Sequence, residues 1–247
     1  MDKELQEARR FARKIARVVG PPIFYREKKR EVDRSRRLFA SSPLVNECLD
    51  LVRNRKDGIG HGIVHVRKVA IDAGAISLVE KSPVFKRSEV RHFVLLAHLA
   101  GVLHDIRRLE KNHAQVSADE AGILLSQFDL PKHEIEAITG AIRNHEAFQP
   151  AAIMEDPLAR FLSDALYDAD KFRWGPDNFT DMIWDMVEYR KASLDAVLKR
   201  FLKGMEGVKR IRDTFRTDTG KTYGPDFIDR GIKIGMKFYT IMLQSKA

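Results

Sequence analysis

His104 and Asp105 stand side by side at the end of an apolar run, LLAHLAGVLHDI, residues 95 to 106. Adjacent residues on a helix point about 100° apart, so both side chains can border one groove between helices. An imidazole nitrogen and a carboxylate oxygen are donors that a divalent metal accepts. The plainer reading is a helix end, with His104 meeting the C-terminal dipole and Asp105 capping the next segment. An aspartate near a helix C-terminus is electrostatically unfavourable unless a cation compensates it, and that tilts the pair toward a site.

Other residues of the same kind recur. His61 and His65 lie four apart, on one helix face that Lys68 and Asp72 continue. Such a pair can hold one metal, or one member can hold metal while the other meets substrate. A polar face on a first helical turn gives the same spacing. In LYDADKFRWG, Asp168 and Asp170 are two apart, with Lys171 and Arg173 following. On a helix the two aspartates diverge by about 200°, so at most one faces a given pocket. His113 and His145 each fall at or just outside a helix end. A lone histidine is commonly structural, but the recurrence at helix ends is notable.

The elements that must position these residues read as helices almost throughout. Leu5, Ala8, Phe11, Ala12, Ile15 and Val18 repeat at helical spacing over 3–19, and Gly20-Pro21-Pro22 ends that segment. A charged helix is expected over about 24–39. Ser42-Pro43 then opens one that runs to about Arg53. RNRKDGIG reads as a loop before a helix from about His61 to Val79. Ser82-Pro83 punctuates, and Ser88 is the expected cap of the helix that carries the His-Asp doublet. Further helices are expected over 117–127, 131–145, 157–170 and about 179–202, with WGPDN breaking the chain before the last of these. A final helix places Phe227, Ile228, Ile232, Gly235, Met236, Tyr239 and Leu243 on one side. No run alternates as a strand would, so the expected fold is all-α. The divisions are a basic helical extension over 1–40, a core over 41–175 and C-terminal helices over 176–247.

Composition narrows the classes. The chain has 247 residues, 44% hydrophobic and 32% charged, enough to bury a real core. The longest apolar stretch, Phe93 to Leu103, falls short of the roughly 20 residues that cross a bilayer, so no membrane role is expected. MDKELQEARR lacks the apolar segment of a secretory signal, and Cys48 is the one cysteine. Both features suit the cytoplasm. The net charge is +9, and residues 1–60 hold 16 Lys and Arg against 9 Asp and Glu. That bias suits a solvated face or attraction to an anionic partner. Without an aromatic stacking stripe, nucleic acid is the less favoured partner.

Taken in order, these residues resemble the HD-domain superfamily of metal-dependent phosphohydrolases, named for the histidine-aspartate doublet. HGIVHVRKVAIDA looks like the first ligand helix, with His65 as ligand. LLAHLAGVLHDI looks like the doublet helix, giving His104 and Asp105. NHAQVSADEAGILL is similar to the segment that often brings a further active-site histidine, here His113. DADKF looks like the last ligand segment, in which the aspartate before the basic residue is Asp170 rather than Asp168. The resemblance spans roughly residues 58 to 175.

The resemblance implies a helical core holding a divalent metal through His65, His104, Asp105 and Asp170. Two imidazoles and two carboxylates suit Mn, Fe, Co, Ni or Mg better than a closed thiolate zinc site. His113 and His145, with His61, are candidates for a second metal or for contacts to phosphate. The implied activity is hydrolysis of a phosphate ester of a nucleotide or related small molecule by a metal-activated water. Asp105 would both ligate and orient that water, with His113 or His61 as acid or base. Lys68, Lys171 and Arg173 are the candidates to neutralise phosphate. Two other readings are a nucleic-acid phosphodiesterase, suggested by the basic N-terminal segment, and a non-catalytic metal- or nucleotide-binding module.

Overall fold

The computed structural model describes residues 3–54, 62–80 and 89–244. His61, Ser82-Pro83 and Ser88 lie outside the described residues. The architecture is all-α, with no strand among the described residues.

Helix α5 (Gly62–Val79) and helix α6 (Val90–Leu103) form the centre. Both are apolar on nearly every side, as a helix surrounded by others must be. Each buries ten residues. They run antiparallel and very close. Gly101 sits against the backbone of Ala70, where a Cβ would come within 2.7 Å of the Ala70 nitrogen. One turn further on, Gly74 makes room for the buried His98 ring and for Ser35. Small residues at the crossing let two backbones approach as larger ones cannot, and this registers His65 opposite His104.

The remaining helices surround this pair. Helix α1 (Lys3–Val19) buries Leu5, Ala8, Ala12 and Ile15 of the predicted stripe; Phe11 is part-buried, and Val18, near the helix end, is exposed. The expected helix at 24–39 is two, α2 (Ile23–Glu27) and α3 (Lys29–Ser41), because Lys28 at φ −107° breaks the helical path. Ser42 caps α4 (Pro43–Arg53), accepting from the Val45 amide, with Pro43 at the first helical position. Helix α7 (His113–Leu125) starts four residues earlier than the sequence suggested, because Asn112 turns the chain at φ 58°. Helices α8 (Lys132–Arg143) and α9 (Pro157–Lys171) follow, the latter capped by the Asp156 carboxylate at the Ala159 amide.

The single helix expected over 179–202 does not form. A 3-10 turn (Phe172–Trp174) and a π-helical segment (Asn178–Met182) lead into a short α10 (Ile183–Tyr189), and α11 (Leu194–Ile211) starts afresh. The break has a local cause. Lys191 adopts φ 50°, and Ser193 accepts from the Ala196 amide as a new N-cap. Apolar periodicity continues through this cap, which is why it read as one helix. Helix α12 (Asp218–Gln244) closes the fold against α1: Ile23 N–H donates to Asp226, and Arg230 donates to the Val19 and Gly20 carbonyls. One hydrophobic cluster runs from Leu5 to Phe238. No helix among the described residues is long and apolar enough to cross a membrane.

Candidate metal centre

Helices α6, α8 and α9 end at the same place, and the side chains at or just beyond their C-termini point toward one another. Three negative dipole ends converging on one spot favour a cation there. His104 is the C-cap of α6 and Asp105 follows it; Asp170 is the penultimate residue of α9; His145 lies two residues past α8. His65, in the first turn of α5, enters from the side, and His113 opens α7. The turn carrying Asp105 is held by the buried Ile106 and by the Arg107 amide, which donates to Ser117 of α7.

The distances from the two imidazoles are ones that could hold a metal ion. His65 Nε2 lies 3.2 Å from His104 Nε2, 3.4 Å from Asp170 Oδ1 and 3.8 Å from Asp105 Oδ2. His104 Nε2 lies 3.5 Å from Asp105 Oδ2 and 3.8 Å from Asp170 Oδ1. A tetrahedron with metal–ligand bonds of about 2.1 Å has edges of about 3.4 Å. Two overlapping groups have donors mutually within 4.8 Å: His65, His104 and Asp170, and His104, Asp105 and His145.

Protonation states fit a cation as well. His104 Nδ1 donates to the Gly101 carbonyl at 2.9 Å, leaving a lone pair on Nε2. Burial depresses its pKa to about 4, so the ring is neutral at pH 7. His145 Nδ1 donates to the Ile142 carbonyl at 2.6 Å. Its Nε2 is buried with no hydrogen-bond partner, 3.4 Å from Asp105 Oδ1. That unpartnered nitrogen beside a carboxylate oxygen is a pair of donors a positive charge can bridge. Burial pushes the Asp105 and Asp170 carboxyls up, but the neighbouring charges outweigh it. Asp105 is held well below the usual carboxylate range by His104, once acid protonates it, and by Arg108, and Asp170 by Lys171 and the His65 contact. Both are carboxylates at neutral pH.

The two aspartates of LYDADKFRWG separate as helical geometry requires. Asp170 enters the cluster. Asp168 points away and accepts from the Arg216 and Thr217 amides and the Thr217 hydroxyl, fastening the start of α12 to α9. Burial raises the Asp168 pKa to about 6.

The three phosphate candidates do not come together. Lys171 is at the cluster, with Nζ 2.5 Å from Asp170 Oδ2. Lys68 instead pairs with Asp177 at 2.8 Å. Arg173 is buried and binds Asp72, Asp177 and the Tyr25 hydroxyl. Lys68 and Arg173 line a separate cleft of about 810 Å³ between α1, α5 and the 172–181 segment. In the N-terminal segment, Arg9 and Arg13 are engaged by Asp181, and Arg9 also by Asp185.

Two residues at the centre were missed from the sequence. Arg108, three residues past Asp105, lies with Nη1 2.8 Å from His113 Nε2 and 3.5 Å from Asp105 Oδ1. Glu146 lies with Oε1 3.0 Å from His113 Nδ1. The available signals were a basic residue one turn beyond the doublet and a carboxylate adjoining His145. Above the cluster opens a cavity of about 180 Å³, with Phe148, Trp174 and Met182 on its walls.

Comparison with protein-family models, with curated proteins and with solved structures finds no match to this chain.

Proposed function

We propose that the chain is a metal-dependent phosphohydrolase of the HD-domain type, acting on a phosphate ester of a nucleotide or related small molecule. The observation that carries the reading is the convergence of His65, His104 and Asp170 in one group of ligand donors, with Asp105 Oδ2 3.8 and 3.5 Å from the two imidazoles, at one end of three helices. The order of these residues along the chain supports the family assignment. The chemistry a divalent ion supplies there is charge neutralisation of a phosphoryl oxygen and activation of a water.

The rest falls to the chain's own groups. Arg108 and Lys171 present N–H donors to the phosphoryl oxygens in the cavity. Asp105 orients the attacking water through its carboxylate. His145, with its buried Nε2 turned toward Asp105, is placed to take up a proton, and His113, held between Arg108 and Glu146, is placed beside it to pass one on from Nδ1. The aromatic walls Phe148 and Trp174 receive the remainder of the ester.

Protein stripped of metal and reloaded with Mn²⁺, Co²⁺, Ni²⁺ or Mg²⁺ should release phosphate from members of a panel of nucleotides and simple phosphomonoesters, and Asp105→Ala should abolish that turnover. No retained ion, together with no turnover under any of these ions, overturns the reading.

A further inference from the structure

We infer that Arg108 occupies the position of a second cation, so that the centre holds one metal ion and one guanidinium rather than two metal ions. The inference rests on the metal-centre reading above.

Asp105 divides its carboxylate between two sides. Oδ2 faces His65 and His104, and Oδ1 faces His113 and His145 at 3.5 and 3.4 Å. Each side offers two imidazole nitrogens and a carboxylate oxygen, enough to begin an ion's shell. The sides differ in what the protein itself provides. Among the described residues no Lys or Arg pairs with Asp105 Oδ2 or with Asp170 Oδ1; Lys171 takes the other Asp170 oxygen. On the Oδ1 side, Arg108 Nη1 lies against both, 2.8 Å from His113 Nε2 and 3.5 Å from Asp105 Oδ1.

The His113 tautomer makes this exclusive. A guanidinium can only donate, so Nε2 accepts from Arg108 with the ring's one lone pair, and Nδ1, 3.0 Å from the Glu146 carboxylate, is the protonated nitrogen. Arg108 donates into that lone pair at 2.8 Å. A metal ion would need the same lone pair at about 2.0–2.1 Å, so guanidinium and ion cannot both use it. Arginine keeps its charge at any physiological pH, and a divalent ion placed beside it would be repelled. The fork also retains donors that suit a phosphoryl oxygen, which an ion's shell would present differently. An incoming phosphate ester therefore meets a metal on the Oδ2 side and a guanidinium on the Oδ1 side.

The test is ion counting. Metal-free protein equilibrated with excess Mn²⁺ and passed through a desalting column is analysed by atomic emission, with circular dichroism confirming the fold. The wild type should retain one Mn²⁺ per chain and Arg108→Ala two, with spin coupling between the ions visible by electron paramagnetic resonance. Arg108→Gln, closer in size, should behave as Arg108→Ala does, and adding His145→Ala to either should return the count to one. Two ions in the wild type, or one ion in both Arg108 variants, overturns the inference while leaving the metal centre intact. No ion in the wild type removes the metal centre itself, and the inference with it.

Discussion

His65 and His104 are 39 residues apart in the chain, yet their Nε2 atoms lie 3.2 Å apart. His104 has committed its Nδ1 proton to a backbone carbonyl, so the nitrogen it turns toward His65 is a lone-pair donor. Neighbouring carboxylates at 3.4 to 3.8 Å make a bound cation the natural occupant of the space between them.

Removing either imidazole should remove the ion. Wild-type protein should unfold at higher temperature when Mn²⁺ or Co²⁺ is added, since ion at a hundred times its dissociation constant adds about 2.7 kcal/mol. His65→Ala and His104→Ala should lose that increment. Differential scanning fluorimetry with and without ion reads it, and an undiminished increment in both variants would refute the ligand assignment.

The α5–α6 crossing is expected to govern the site as well as the core. Gly101→Ala drives a methyl into the Ala70 backbone, which cannot yield as a flexible side-chain tip can. Overpacking of this kind costs about 1–3 kcal/mol. Because the crossing sets His65 against His104, ion affinity should fall with stability. Chemical denaturation and an ion titration on the same sample check both; a destabilised variant that binds the ion as the wild type does would separate packing from site geometry.

The cleft behind the site should be structural in its buried part. Asp72→Ala leaves the Arg173 guanidinium, 4% exposed, with one carboxylate partner fewer. Breaking a buried pair in this way costs about 3–5 kcal/mol. Lys68→Ala removes a partly exposed pair and should cost under about 1 kcal/mol. Lys68→Ala should leave phosphate-ester turnover within a few-fold of wild type and Lys171→Ala should not, as steady-state rates would reveal.

Acid stability should carry the mark of His98. Its ring is buried between α3, α5 and α6, bonded to the Ser35 hydroxyl at 2.9 Å, and burial lowers its pKa to about 3. The unfolded chain, with an ordinary histidine pKa near 6.5, binds the proton first as pH falls. The contribution is therefore complete above about pH 6.5 and is lost progressively toward pH 3, at up to about 1.4 kcal/mol per pH unit. Urea unfolding at several pH values should show a shallower acid slope for His98→Gln than for wild type. Parallel slopes would contradict a neutral buried ring.

Much of this architecture is written in local pattern. Ser42-Pro43 starts α4 and most of the α1 stripe is buried as its spacing requires, Val18 excepted, because capping and amphipathicity act within a few residues. The helix expected at 179–202 was misjudged because apolar periodicity is blind to a cap such as Ser193 when the stripe continues across it. Lys68 and Arg173 read as phosphate ligands from their neighbours in sequence, yet Asp177 and Asp72 engage both in a different cleft. Arg108 and Glu146 differ in kind: one turn past the doublet and beside His145, their positions are suggestive, but sequence alone does not show that they meet at His113.

The sequence by itself determined most of the helices, the chemical types of the donors and the rule that only one of Asp168 and Asp170 can face a given pocket. These follow from the helical repeat, which is local. Tertiary structure decided which donors meet, that Asp105 presents a different oxygen to each side, and that Arg108 stands on one side alone. Those outcomes depend on how closely α5 and α6 cross and where α8 and α9 end, and such distances are set by packing between segments far apart in the chain.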